Sequence, residues 1–329
     1  MQCCCIGVEH GRIIIMAKFF SMELMLSCIK MTSIKNTVHR KGIKGTLKRM
    51  TKIITRYGFS SSKMAKNLLQ FSKASPVVTW PITAKTLERH YKNIPKTSNV
   101  EYAVHGYVHI DYSKLSAERQ KKHLQKTLQI SHAYNTNVYG FRAPYLQWNN
   151  SDNNILKSLG FLYNSSHSIH WDVVPEKYLN KSYDMALNAY APMDGSKKLS
   201  LPSIRKGMVC IPVSLPDDEM LIDRLGIKDQ NLLSNVWMKI LEQTNERGEL
   251  FVLQLHPERF RLANHALTNL IKAAKQKPIW VTTLKDVAKW WKIHSNDGWP
   301  ENYKSAFCIT GDIDVMSIWD YRFMREDKK

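Results

Sequence analysis

The sequence predicts an α/β protein assembled from parallel β/α units. Three observations carry that expectation. Short apolar, β-rich runs alternate with helical patterns over most of the 329 residues, which argues for parallel units and against a sandwich. Four of the predicted strands end in a polar or charged residue, namely His105, Arg142, His256 and Asp312. In β/α barrels the reactive side chains at the C-terminal ends of the strands share one mouth. Finally, no Asn-Gly hairpin series and no repeat of fixed period interrupts the alternation.

The elements follow in order after Pro76. Residues 77–80 form a short β-rich run, and Pro81 precedes a helix over 83–91. Residues 102–104 read as a buried strand leading into His105. The helix over 116–133 has Ser116 as N-cap and a charged outer face built of Glu118, Arg119, Lys121 and Lys122. Residues 138–142 form a strand, and a helix over 150–159 is closed by Gly160. Residues 208–213 form a further strand. Then come a helix over 232–243, a strand over 250–255, a helix over 265–275 and a strand over 279–282. A helix begins over 286–291, and 306–310 is one more strand. Sequence beyond it, 318–324, reads as the start of a helix.

Apolar residues make up 43% and charged residues 23%, the balance of a folded chain and not of a disordered or collagenous one. The 48 Lys+Arg against 28 Asp+Glu give a formal charge of +20, which favours anionic partners without naming one. The excess is concentrated early: no Asp or Glu occurs between Glu23 and Glu88. Leu47, Met50, Ile53 and Ile54 recur there at helical spacing, so a basic amphipathic helix ending near Gly58 is expected. The basic segment 30–66 could rest on an anionic membrane, with nucleic acid the weaker candidate. A solvated helix face that happens to be basic explains the same run equally well. The division expected is a poorly defined segment 1–33 followed by one catalytic domain over 34–329.

Cys3, Cys4, Cys5, Cys28, Cys210 and Cys308 contain no CxxC pair, so free thiols in a reducing compartment are expected rather than a zinc framework. The apolar run 13–29 is broken by Lys18 and Glu23, which fits neither a spanning helix nor a signal peptide. The expectation is a cytoplasmic protein, with membrane association through the basic segment as an option. Oligomeric state is not readable.

Three segments carry chemistry. In His105-Gly-Tyr-Val-His109 the two imidazoles, four apart, would lie on one face of a helical turn and could share a cation. With 12 histidines in the chain, such a pair also arises by chance, and a metal site needs a third ligand. In Gly140-Phe-Arg142-Ala-Pro144-Tyr145, an arginine before a proline-stiffened turn can hold a carboxylate bidentately; a surface salt bridge is the alternative. Leu253-Gln-Leu255-His256-Pro257 runs a strand into an imidazole suited to general acid catalysis, or to a structural hydrogen bond.

Taken in order, these segments resemble the polysaccharide deacetylase family, also called the NodB-homology or carbohydrate esterase 4 family, over about 79–283. The resemblance implies a distorted (β/α) barrel that removes acetyl groups, mostly from sugars, with a divalent metal, zinc first and cobalt or nickel as alternatives. His105 and His109 would be metal ligands, Arg142 would orient a catalytic aspartate, Tyr145 would offer its backbone N–H to the oxyanion, and His256 would protonate the leaving amine. Gly106 stands where the family more often has Ser or Thr. The family's opening aspartate motif is missing upstream of His105, where the only acids are Glu9, Glu23, Glu88 and Glu101.

The C-terminus offers a replacement. Ala306-Phe-Cys-Ile-Thr-Gly-Asp312-Ile-Asp314 is an apolar strand ending in Asp-x-Asp, similar to that first motif. The expectation is therefore a circularly permuted domain in which Asp312 is the base and Asp314 the third metal ligand. A solvated or calcium-like acidic loop, or a chain that has lost its true first motif, would also account for the pair. Either Asp217 or Asp218 could tune His256, and Trp80, Trp148 and Trp171 are candidate sugar-stacking surfaces or core. The function implied is hydrolysis of an N-acetylated carbohydrate. The alternatives are an amidase acting on a non-sugar amide and a non-catalytic basic barrel that binds membrane or nucleic acid.

Overall fold

The computed structural model describes residues 51–149, 152–295 and 297–322, together with Gly45 and Leu47. The segment 1–33, most of the basic helix and the end of the C-terminal tail lie outside the described residues. Within them, 51–57 are helical and Gly58, at φ +71°, ends the helix where expected. Its N–H donates to the Ile54 carbonyl.

The chain then runs α1 (Ser62–Ala74), β1 (Val78–Ile82), α2 (Ala84–His90), β2 (Val100–Val104), α3 (Ala117–Ala133), β3 (Val138–Phe141), α4 (Asn153–Ser158), β4 (Tyr163–Asn164) and β5 (Ser168–His170). It continues through α5 (Lys181–Tyr190), β6 (Met193–Asp194), β7 (Ser203–Arg205), β8 (Met208–Cys210), β9 (Val213–Leu215), α6 (Gln230–Arg247) and β10 (Leu250–Leu255). It ends with α7 (Phe260–Lys275), β11 (Ile279–Thr282), α8 (Leu284–His294) and β12 (Ser305–Gly311).

All strands join one sheet in the order β6-β5-β9-β10-β12-β1-β2-β3-β4-β8-β7, with β11 pairing onto β12. Every ladder is parallel except β7 with β8. The sheet curls into a distorted, open barrel of the kind the resemblance implies, built from the parallel units that the alternation predicts. Its centre is the last strand. β12 pairs with β10 from Ala306 to Gly311 along one side; on the other it pairs first with β11 and then, at Thr310, with β1.

Strand periodicity sorts the residues of these central strands into two faces. Phe251, Leu253 and Leu255 of β10, with Phe307 and Ile309 of β12, join the large core built with α1, α6 and α7. Leu250, Val252, Ala306 and Cys308 point the other way and pack with Leu284, Val287 and Trp291 of α8. On that second face the apolar series gives way to Gln254, Thr310 and Asp312, so the same alternation that fills the core delivers polar groups at the strand ends. Gly311 is required where β12 passes Trp80: a Cβ there would lie 2.2 Å from the indole ring.

Ser116 caps α3 as expected, its hydroxyl accepting from Arg119 N–H. Several expectations need correction. The strand read over 208–213 is two, β8 and β9, which pair with different neighbours. Helices α1 and α5 and the short strands β4, β5, β6 and β7 were not foreseen. The short strands span only two or three residues, too few to establish a period. The helix read over 150–159 is described as α4, Asn153–Ser158. Beyond β12, Ile318–Arg322 forms a 3-10 turn. Trp80 and Trp171 are buried in the main core, so neither is a sugar platform. Trp148 is half-buried and packs against Phe141 and Tyr112. No described helix is long and apolar enough to cross a membrane.

Candidate functional site

β2 delivers His105 at its end, where the His105 N–H donates to the Ile82 carbonyl of β1. The two histidines do not share a helical turn, contrary to the spacing argument, because 105–109 is an irregular loop. Gly106 turns that loop at φ +82°, and a Cβ there would lie 2.7 Å from the Tyr112 ring. A Ser or Thr at this position would be both strained and crowded, which accounts for the glycine. The Tyr107 N–H donates to the Tyr112 hydroxyl and fixes the return of the chain to His109. The two imidazole centroids end 5.2 Å apart.

Asp314 meets this pair from the other end of the sequence. Its Oδ1 lies 3.3 Å from His105 Nε2 and its Oδ2 lies 3.4 Å from His109 Nε2. His105 Nδ1 is 2.8 Å from the Arg142 backbone carbonyl, an acceptor only. Nδ1 therefore carries a proton, which leaves Nε2 as the nitrogen that faces Asp314. Burial pulls His109 down to about 4, and the Asp314 carboxylate only partly opposes it. His105 is pushed up: burial works against its charge, but Asp312 and Asp314 outweigh it. Asp314 is held well below the usual carboxylate range; burial opposes this, and the two imidazoles prevail.

These three side chains present donor atoms within 4.8 Å of one another. Asp314 Oδ1 is buried and faces His105 Nε2 at 3.3 Å, so it is satisfied only when that nitrogen is protonated or a cation lies between them. Two imidazole nitrogens and a carboxylate oxygen are the donor set of an open divalent-metal site. The residues present thus fit a metal.

Asp312, two residues earlier and just past the end of β12, is held differently. Its N–H donates to the Leu255 carbonyl, and the next residue, Ile313, donates to Pro81, so the aspartate is seated between β10 and β1. Arg142 Nη1 donates to Asp312 Oδ1 at 2.8 Å and to Thr310 Oγ1 at 2.8 Å. The rest of that fully buried guanidinium is spent on Ser165, at its carbonyl and hydroxyl oxygens. Gln254 Nε2 donates to Asp312 Oδ2 at 2.9 Å. Both carboxylate oxygens are therefore gripped, by one charged and one neutral donor. Gln254 was missed from sequence, although its place two residues before His256 puts it on the same strand face.

His256 follows β10 and lines the same cleft as the metal-type triad. Its backbone N–H donates to Asp218 Oδ2 at 2.7 Å, and its Nδ1 lies 2.6 Å from Asp218 Oδ1. Asp218, not Asp217, is therefore the partner of His256. Asp217 caps the following turn, accepting from Met220 N–H; burial and the neighbouring Asp218 carboxylate push it up. Burial would lower His256, but the Asp218 carboxylate lifts it to about 10.

Tyr145 sits at the mouth with φ +58°, followed by Leu146 at +56°. Two consecutive non-glycine residues in the left-handed region are costly and are typical of functional turns. The turn is braced from behind, since Ala143 N–H donates to the Ser166 hydroxyl. Tyr145 is 52% exposed, and its ring stands edge-on to His109, with centroids 4.4 Å apart. The cleft has a free volume of about 150 Å³. Tyr57, Tyr190, Glu219 and Glu258 also line it, and none was foreseen from sequence, because they come from four separate segments. The predicted set of Asp312, His256, Arg142, Tyr145, Asp314, His105 and His109 is brought to one place.

A family model for polysaccharide deacetylases matches residues 36–163. That span holds His105, His109, Arg142 and Tyr145, whereas His256, Asp312 and Asp314 lie beyond it. The chain is 28% identical over 123 residues to the peptidoglycan deacetylase-like protein FGM2 of Gibberella zeae, a match covering 37% of this chain and 32% of that protein. Among solved structures, Puue allantoinase superposes with a TM-score of 0.54 at 17% identity, covering 76% of this chain and 78% of the other. A probable polysaccharide deacetylase from Pseudomonas aeruginosa PAO1 gives 0.50 at 17% identity, covering 74% and 77%. At that identity the two structures speak to the fold.

Proposed function

We propose that this chain, whose residues 36–163 match the polysaccharide deacetylase family model, is a metal-dependent hydrolase removing N-acetyl groups from an amino sugar or its polymer. The observation that carries this reading is the convergence of the Asp314 carboxylate on two imidazole nitrogens, beside an aspartate gripped by Arg142 and Gln254.

His105, His109 and Asp314 would hold the metal, zinc first and cobalt or nickel as alternatives; when bound it supplies Lewis-acid polarisation of the acetyl carbonyl and of water. Asp312, kept in place by Arg142, takes the proton of the attacking water. The backbone N–H of Tyr145, presented by the strained turn, donates to the oxyanion; such a donor is typically worth about 3 kcal/mol of barrier. His256, held as imidazolium by Asp218, gives its proton to the departing amine, leaving acetate and a free amino group. Tyr145 and Tyr190 offer ring faces to a sugar at the mouth.

The segment order supports reading the domain as circularly permuted, with the first strand of the family carried to the end of the chain. The substrate partner is then an N-acetylated carbohydrate. Contact of the basic segment 30–66 with an anionic membrane, and a cytoplasmic, peripheral location, belong to the same proposal. The test is acetate release from a panel of N-acetyl sugars and oligosaccharides, with and without chelator. Metal-dependent release is expected, and Asp314→Ala and His105→Ala should each abolish both metal retention and release. Full activity in either variant, or acetate release indifferent to chelator, would refute the reading. Chelator-sensitive cleavage of non-sugar amides alone would move the assignment to an amidase.

A further inference from the structure

The carboxylates of the site follow the end of β12, and Asp314 is carried on the loop that runs on to Asp320. That loop is laid along one short helix. At the start of α2, the Thr83 and Thr86 hydroxyls both lie within hydrogen-bond distance of the Asp314 backbone carbonyl, at 3.1 and 2.7 Å, and the Thr83 N–H donates to Ile313. At its far end, Arg89 Nε donates to Asp320 Oδ1 at 2.9 Å, and His90 Nε2 lies 2.9 Å from both Asp320 oxygens. Asp320 in turn accepts from the N–H groups of Met316 and Ser317, each at 2.9 Å. Positions 83, 86, 89 and 90 recur at helical spacing, so one face of α2 grips the loop on both sides of its turn.

The same helix also holds the other ligand loop. Ala84 N–H donates to the Gly106 carbonyl at 3.0 Å and Lys85 N–H to the Tyr107 carbonyl at 3.1 Å. These carbonyls lie between His105 and His109. The two loops that approach each other at the triad are therefore both hydrogen-bonded to the first turn of one helix, which itself follows β1 directly.

We propose that α2 is the jig that sets the spacing between Asp314 and the His105–His109 pair, with Thr86 and Asp320 as positioning residues for cation binding. This rests on the reading that the triad binds a metal. Neither residue touches the donor atoms. Thr86 acts on the Asp314 backbone, and Asp320 anchors the tail that leaves it. Partners one step removed from metal ligands typically govern affinity by about ten- to a hundredfold.

The experiment compares wild type, Thr86→Val, Asp320→Asn and Asp314→Asn. Co²⁺ affinity is measured by optical titration of the metal-free proteins, and acetate release is followed as a function of added Zn²⁺. Wild type should bind one equivalent and Asp314→Asn should lose it. Thr86→Val and Asp320→Asn should bind about ten- to a hundredfold more weakly, yet regain most of the wild-type turnover when Zn²⁺ is raised. Rescue by metal separates positioning from simple damage. Thr86→Val keeps the side-chain volume, so it carries the test should Asp320→Asn fail to fold. If wild type binds no cation at the triad, the functional reading fails. If wild type binds and Thr86→Val binds with equal affinity, the jig is refuted while that reading stands.

Discussion

Replacing Asp218 by Asn tests the link between a buried ion pair and the pH range of the reaction. The carboxylate meets His256 twice, at Nδ1 (2.6 Å) and at the backbone N–H (2.7 Å). Burial alone would drive the imidazole toward its neutral form, yet His256 is raised from 6.5 to about 10. At about 1.4 kcal/mol per pH unit, that rise corresponds to about 5 kcal/mol of preference for the imidazolium. Asn conserves the shape and removes the charge, so burial is left to act unopposed and His256 should titrate below 6.5. At pH 8 the wild-type acid is fully protonated, whereas the variant would be protonated in fewer than about 3% of molecules, a loss of about thirtyfold or more in kcat/KM. The loss should diminish as the pH is lowered, because the alkaline limb moves down and not merely the ceiling. The assay is the pH profile of kcat/KM for acetate release, with metal content measured in parallel. An alkaline limb at the same pH in both proteins would refute the argument. The stability contribution has the same sign: because the folded-state pKa is raised, the pair stabilises the fold fully below about pH 6.5, and the effect fades as pH rises toward 10.

Other consequences are equally direct. Arg142→Ala removes the charged partner of a buried carboxylate and should destabilise the fold by about 3–5 kcal/mol, read as a lowered midpoint in urea unfolding. Gln254→Leu leaves Asp312 Oδ2 without its donor, and should lower kcat by roughly tenfold while metal content stays at the wild-type level. Gly311→Ala presses a methyl into the Trp80 ring and should cost about 1–3 kcal/mol by overpacking, visible as a lower melting temperature. Zn²⁺ at a hundredfold excess over its Kd should stabilise wild type by about 2.7 kcal/mol through linkage, and Asp314→Ala should show no such gain in the same thermal scan.

Much of the site was legible because its chemistry lies in short contiguous segments. A strand running into His105, Arg142 or His256 announces a side chain at a strand end, and that local pattern does not depend on what packs around it. The Asp-x-Asp at 312–314 was legible as a pair for the same reason. Its partner was not fixed by the residues themselves: nothing local requires β12 to insert between β10 and β1, since that choice is made by backbone pairing with β10, 56 residues earlier, and with β1, more than two hundred residues earlier. Gln254 lay in view on the His256 face but is an ordinary interior residue until Asp312 arrives opposite it.

By itself, then, the sequence determined the parallel α/β class, the helix end at Gly58 and the cap at Ser116, because propensity, capping and alternation act within a few residues; the seven candidate site residues came from short motifs read through a family resemblance. Tertiary structure alone decided that Asp218 rather than its neighbour holds His256, and that Gly106 turns against Tyr112 instead of extending a helix. It likewise put Trp80 and Trp171 in the core and laid the Asp314 loop along α2. Each of these is an outcome of distances between segments remote in the chain. Such distances follow from which faces pack and which strands pair, and no window of adjacent residues contains them.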